Sequence, residues 1–163
     1  MLRGGKRKIR AFPAQVQLPV LMARIKILLP AAFPLTVVLP VRITDLNYGG
    51  HLGNDALLSL LHEARVQLLT YAGLAELDAA TKLGVIMADV AIEYRGEAFY
   101  GDVLHIQLAA TEPHKYGFDV AYWVKNQAGK EIARAKTGLL LFDYNTRKLR
   151  PMAEELRQRL AAL

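Results

Sequence analysis

The stretch that decides the fold is Val41-Arg-Ile-Thr-Asp-Leu-Asn-Tyr-Gly-Gly-His-Leu-Gly-Asn54, running straight into Asp55-Ala-Leu-Leu-Ser-Leu-Leu-His-Glu-Ala-Arg65. An alternating apolar run ends, and a carboxylate, an amide, an imidazole and three glycines fall within nine residues. A strongly apolar helix begins at once. Upstream, Leu-Thr-Val-Val-Leu-Pro-Val-Arg at 35–42 reads as a strand, with Pro40 confined to an edge or a bulge.

Downstream, residues 52–71 read as a helix. Leu57, Leu60, Leu61, Ala64, Leu68 and Tyr71 recur at helical spacing as one stripe. Asn54 or Asp55 is placed to cap its start and Gly73 to end it. At about 100° per residue, Asp55, His62 and Arg65 are expected on the opposite side, with Glu63 at the border of the stripe. A short second helix is expected over 75–83. Four strands follow, at 85–98, 103–111, 118–125 and 132–142, with turns at 100–102, 113–117 and 126–129. A short helix closes the chain over 151–163. This order predicts an α+β fold, an antiparallel sheet of about five strands wrapped round one long central helix. Open sheet edges predict a homodimer or homotetramer, with sites at the subunit interface. The expected organisation is a flexible basic extension over 1–30, one domain over 31–150 and the terminal helix.

The formal charge of +6 is uneven. Residues 1–44 hold eight Lys and Arg and no acid, leaving the remainder at −2. Basic residues beyond 44 are scattered among acids, which argues against a nucleic-acid face. The basic start loosely imitates a secretory signal, but Pro13 and Pro19 interrupt its apolar part. It also imitates a transit peptide, but it lacks serine. A tail ahead of a natural start at Met22 is the simpler expectation. There is no cysteine, which excludes disulfides and thiolate chemistry and fits a cytoplasmic setting. No long uncharged apolar run predicts a membrane span. Ser59 is the only serine and lies outside any G-x-S-x-G elbow. No His, Asp or Glu spacing suggests a metal site, and the glycines fit neither a dinucleotide fingerprint nor a phosphate loop.

Asp45-Leu-Asn-Tyr-Gly-Gly-His-Leu-Gly-Asn54 resembles the D-x-D-x-x-G-H-V-N-N signature of hot-dog acyl-CoA thioesterases similar to 4-hydroxybenzoyl-CoA thioesterase. Glu63-Ala-Arg65 resembles the E-A-R on that family's central helix, and Tyr100-Gly-Asp102 its turn after the second strand. The resemblance covers roughly residues 35–145. It implies a hot-dog fold and hydrolysis of an acyl-CoA or acyl-carrier thioester, with coenzyme A present only as part of the substrate and no other cofactor. Two positions depart from the pattern. The family's second aspartate corresponds to Asn47, which cannot be a nucleophile or base. Gly53 replaces the first Asn of the N-N pair. Asp45-Leu-Asn47 also resembles the D-x-N of plant acyl-carrier-protein thioesterases, although His51 follows Asn47 by four residues rather than two.

The resemblance implies catalytic roles for Asp45, Asn47, His51 and Glu63, with Asp45 or Glu63 as base. It implies substrate contacts from Tyr48, Gly49, Gly50, Leu52 and Asn54. Backbone amides near residues 50–52, at the positive end of the helix dipole, would polarise the thioester carbonyl. Each residue also has a plainer role. Asp45 can order the turn, Asn47 can sit in a left-handed position, His51 can pack at the helix start, and Glu63 can pair on the helix surface. In residues 121–124, Tyr122 and Trp123 must point to opposite faces of the sheet, so one faces a second buried surface. Arg134 and Lys136 share a strand face, either solvated or meeting coenzyme A phosphates. Rival readings are an acyl-binding protein that hydrolyses poorly because of Asn47, an interaction module using the basic tail, and a hot-dog dehydratase.

Overall fold

The computed structural model describes residues 24–161. The proposed signal, transit or tail character of residues 1–21 therefore lies outside the described residues. Strand β1 is Leu35–Pro40, helix α1 is Asn54–Tyr71, and strands β2 to β5 are Leu83–Tyr94, Val103–His114, Gly117–Asn126 and Glu131–Asp143. A two-residue strand β6, Lys148–Leu149, pairs with β5, and helix α2 is Glu154–Ala161. The long strands lie in the order β1-β3-β4-β5-β2, every pair antiparallel. The sheet wraps α1 as a hot-dog fold. Pro40 ends β1 on the sheet edge, where its missing N–H costs no ladder bond.

Register fixes the two faces. Val37, Ile106, Val124, Ala133 and Tyr94 stand in one row across the sheet and face α1. The next row, Thr36, Gln107, Trp123, Arg134 and Glu93, faces outward. The stripe of α1 buries Leu57, Leu60, Leu61, Ala64 and Leu68 against the inward rows, whereas Tyr71 is exposed. Tyr122 is fully buried, and its hydroxyl shares a 2.9 Å hydrogen bond with Thr137 Oγ1. Trp123 does point the other way. Its cover among the described residues is the chain's own Phe33, 5.9 Å between ring centres, and Lys125, whose Nζ stands 3.2 Å from the ring centre. Ile27 is also buried, and its amide donates to Glu93 Oε2, so packing begins before residue 31. Arg134 and Lys136 are paired with Glu131 and Asp119, within an ionic layer on this outer face.

Two further expectations fail. Residues 75–83 form no helix. Asp78 Oδ1 accepts from the amides of Ala80 and Thr81, and this Asx turn reverses the chain before β2. Arg65 is not on the solvent side, since only 5% of its surface is exposed. Its Nη2 donates to Glu76 Oε1 at 3.1 Å and its Nη1 to the Met87 sulfur, because the segment after α1 folds back beneath it. Asp55 and His62 do face water.

Candidate active site

The signature residues form a small hairpin between β1 and α1. Asn47 N–H donates to His51 O and Gly50 N–H to Asn47 O, at 2.9 and 3.0 Å, closing a turn in which Gly50 has φ +78°. A left-handed residue at this point favours glycine. Asn47 Oδ1 accepts from the Gly49 amide at 2.8 Å, which fixes the amide plane and turns Nδ2 toward His51 Nδ1 at 3.3 Å. Nδ2 is only a donor, so Nδ1 accepts and the neutral ring carries its proton on Nε2. Leu52 O, 3.4 Å from Nδ1, becomes its partner only when that nitrogen is protonated. The ring lies over Gly49, where a Cβ would stand 3.2 Å from Nε2. Asn47 is not left-handed. It is a clamp for His51. Tyr48 is fully exposed at the tip of the turn.

Asp45 is 5% exposed and fully engaged. Oδ2 accepts from the Arg42 amide at 2.8 Å and from Nε at 3.0 Å, and Oδ1 accepts from Nη2 at 2.9 Å. The Arg42 side chain holds this carboxyl below the usual carboxylate range. Both oxygens serve the turn.

Of the amides expected near residues 50–52, those of Gly50 and Leu52 are spent, whereas the His51 amide makes no hydrogen bond among the described residues. Gly50 N–H bonds Asn47 O, and Leu52 N–H bonds Ala98 O at 2.9 Å. Gly53, not Asn54 or Asp55, is the cap of α1. Its backbone is extended, it has no side chain to offer, and its own amide donates to Asp45 O. The next three amides, of Asn54, Asp55 and Ala56, make no hydrogen bond among the described residues. They are the unfilled donors at the positive end of α1.

A cavity of about 130 Å³ opens at this end. His51, Leu52, Gly53, Asn54 and Leu57 form one wall. Tyr94, Gly96, Glu97, Ala98 and Ile132 form the other. Tyr94 donates to Asn54 O at 3.3 Å, and burial, with Asp55 nearby, raises its pKa. Glu63 is elsewhere. It accepts from Gln67 at 3.0 Å and lines a separate cavity of about 350 Å³ with Arg42 and Ser59. A wider cavity, about 400 Å³, lies at the far end of α1 against α2 and holds none of the site residues expected from sequence.

The fold thus gathers His51, Leu52 and Asn54 at one opening, with Asn47 and Gly49 behind His51. It leaves Asp45 in the framework and Glu63 about nine residues along the helix, on the order of 13 Å away. Sequence reasoning missed Tyr94 and Glu97. Inward alternation of β2 signalled Tyr94, but nothing periodic marks Glu97. Among the described residues no three His, Asp or Glu side chains gather as a metal cage requires. No helix there is long and apolar enough to cross a membrane.

The model of the thioesterase-like superfamily matches residues 41–160. Among curated proteins none matches the chain. A 1,4-dihydroxy-2-naphthoyl-CoA thioesterase from Synechocystis superposes with a TM-score of 0.70 at 21% identity, over 78% of this chain and 96% of its own. A probable thioesterase from Escherichia coli gives 0.63 at 24%, over 77% and 95%. A hypothetical protein from Staphylococcus aureus in complex with CoA gives 0.71 at 12%, over 78% and 81%. At these identities the likeness establishes the hot-dog fold.

Proposed function

The chain belongs to the thioesterase-like superfamily, and we propose that it hydrolyses an acyl-CoA or acyl-carrier thioester to free acid and thiol, without metal or redox cofactor. The observation that carries this is the set of free amides at Asn54–Ala56, opening beside the clamped His51. A thioester carbonyl placed there meets N–H donors in the direction of a helix dipole, as its oxygen gains charge in the transition state. His51 Nε2–H, oriented by Asn47, adds a donor at the same mouth. Gly49 and Gly50 keep the approach open, and Tyr48, Leu52 and Asn54 border it. One similar structure named for a CoA thioester and another solved in complex with CoA support a CoA carrier.

A homodimer in the cytoplasm is part of the same proposal. Strand β2 is an edge of twelve residues, with Met87 and Val90 exposed along it, and such an edge suits pairing with a second copy. A second reading has its own support. With Asp45 spent on Arg42 and Asn47 in the other aspartate position, the protein would bind acyl-CoA and turn it over poorly.

Thiol release from short, long and aromatic acyl-CoA thioesters, on a sample whose mass is read by sedimentation, tests both. Turnover that falls about 10²-fold in Asn47→Ala, on a dimer, is the expected result. Binding of acyl-CoA with no turnover selects the second reading, and a monomer removes the edge pairing.

A further inference from the structure

We propose that Glu97 is the general base of this reaction, an inference that rests on the hydrolysis reading above. A hydrolase needs a group to take a proton from water, and the carboxylates near the helix start are nearly all committed. Asp45 is bound at both oxygens by Arg42. Asp102 accepts from the Phe99 amide and Gln127. Glu93 faces outward to Arg95 and the Ile27 amide, and Glu63 lines another cavity. His51, protonated at Nε2, is a donor. Glu97 stands on the cavity wall opposite the start of α1 and forms no hydrogen bond or ion pair among the described residues.

The backbone shows why it points there. The amides of Arg95 and Gly96 both donate to Ile132 O, at 2.8 and 3.1 Å, a bulge where β2 leaves β5. A bulge re-aims the side chains that follow it. Gly96 is needed at this crowding, since a Cβ there would stand 2.8 Å from Glu131 O. On the other side, Ala98 is buried and its carbonyl is held by the Leu52 amide. Glu97 is thus anchored at both neighbours, while its exposed side chain meets the water that the reaction consumes. Asp55 is the nearest rival. Its Oδ1 leans over Gly53, 2.7 Å from where a Cβ would be, and it is not part of the cavity wall.

In the step assigned to it, the Glu97 carboxylate takes a proton from water as the water oxygen bonds to the thioester carbon. The carbonyl electrons move onto oxygen, facing the free amides of α1. Collapse restores the carbonyl and breaks the carbon–sulfur bond. The departing thiolate takes the proton from Glu97, giving acid and thiol.

The test is kcat and KM for thiol release by wild type, Glu97→Gln, Glu97→Ala and Asp55→Asn. Glu97→Gln is expected to lose about 10²-fold or more in kcat, with KM within a few-fold and an unchanged thermal midpoint. Added formate is expected to restore turnover in Glu97→Ala, which leaves room for it. Loss confined to Asp55→Asn, with Glu97→Gln within threefold of wild type, overturns the assignment and leaves the hydrolase intact. No thiol release by wild type from any thioester removes the hydrolase, and its base with it.

Discussion

The two ends of α1 are built for different purposes. At its C-terminus every exposed carbonyl that a tight stop can satisfy is satisfied. Leu74 N–H reaches Leu69 O at 2.8 Å and Gly73 N–H reaches Thr70 O at 3.0 Å, with Gly73 at φ +71°. This is a Schellman stop. Beyond it, Glu76 returns to bind both Arg65 and His62. Burial alone would raise the Glu76 carboxyl, but the hydrogen bonds from His62 and Arg65 outweigh it and hold the group low. At the N-terminus the cap is a glycine and the first-turn amides are unfilled. The contrast separates groups spent on holding the fold from groups that no other part of the described fold engages.

Filling the open end breaks the contrast most strongly. Gly53 has φ −69° and ψ 150°, which serine adopts without strain, and Asp55 has only to swing aside. Gly53→Ser supplies a hydroxyl to the free amides. Turnover is expected to fall about 10²-fold, about 2.7 kcal/mol of barrier, while the thermal midpoint holds or rises. Unchanged turnover would show that the amides take no part.

Asp45→Ala probes the framework beside that end. Removing the buried carboxylate that accepts from the Arg42 amide and guanidinium is expected to cost about 2 kcal/mol in urea unfolding at pH 7. Because Arg42 lowers the folded pKa, Asp45 contributes fully above its unfolded value of about 3.9. That contribution is lost as pH falls through the lower folded value. The gap between wild type and variant therefore narrows below about pH 4. A gap independent of pH would mean that the carboxylate charge is not what stabilises the turn.

The smallest effect is expected at the closed end. Gly73→Ala forces a left-handed alanine and crowds Arg159, at a cost of about 1 kcal/mol read in the same unfolding curves, with turnover unchanged. A loss of turnover would tie the two ends together.

Much of this was legible in the sequence because periodicity reports burial. The period of α1, the alternation of the long strands and Gly73 after the helix gave the fold. Pairing across distance was not legible. Arg65 lay on the polar side of the wheel, and only the return of Glu76 explains its burial. The segment 75–83 has helical composition, but the bonds of Asp78 to the Ala80 and Thr81 amides impose a turn. In the site, the motif located His51 and the open helix start. It did not show that Asp45 is bound at both oxygens by Arg42, since an ion pair three residues back leaves no mark in a family signature. Glu97 depends on a bulge, a defect in register that composition does not encode.

The strand order also sets the sequence in which the molecule can assemble. β3, β4 and β5 are neighbours in chain and in space, joined by tight turns, so their loops close at small entropic cost. The two edges are different, for Leu35 must find Leu108 and Val85 must find Leu141. These distant partners arrive late by the same reasoning. Until they do, the stripe of α1 has only half its cover. A nascent chain would pass through that stage with Leu57, Leu60 and Leu61 available to any sticky neighbour, and dilution or a chaperone would then decide its yield.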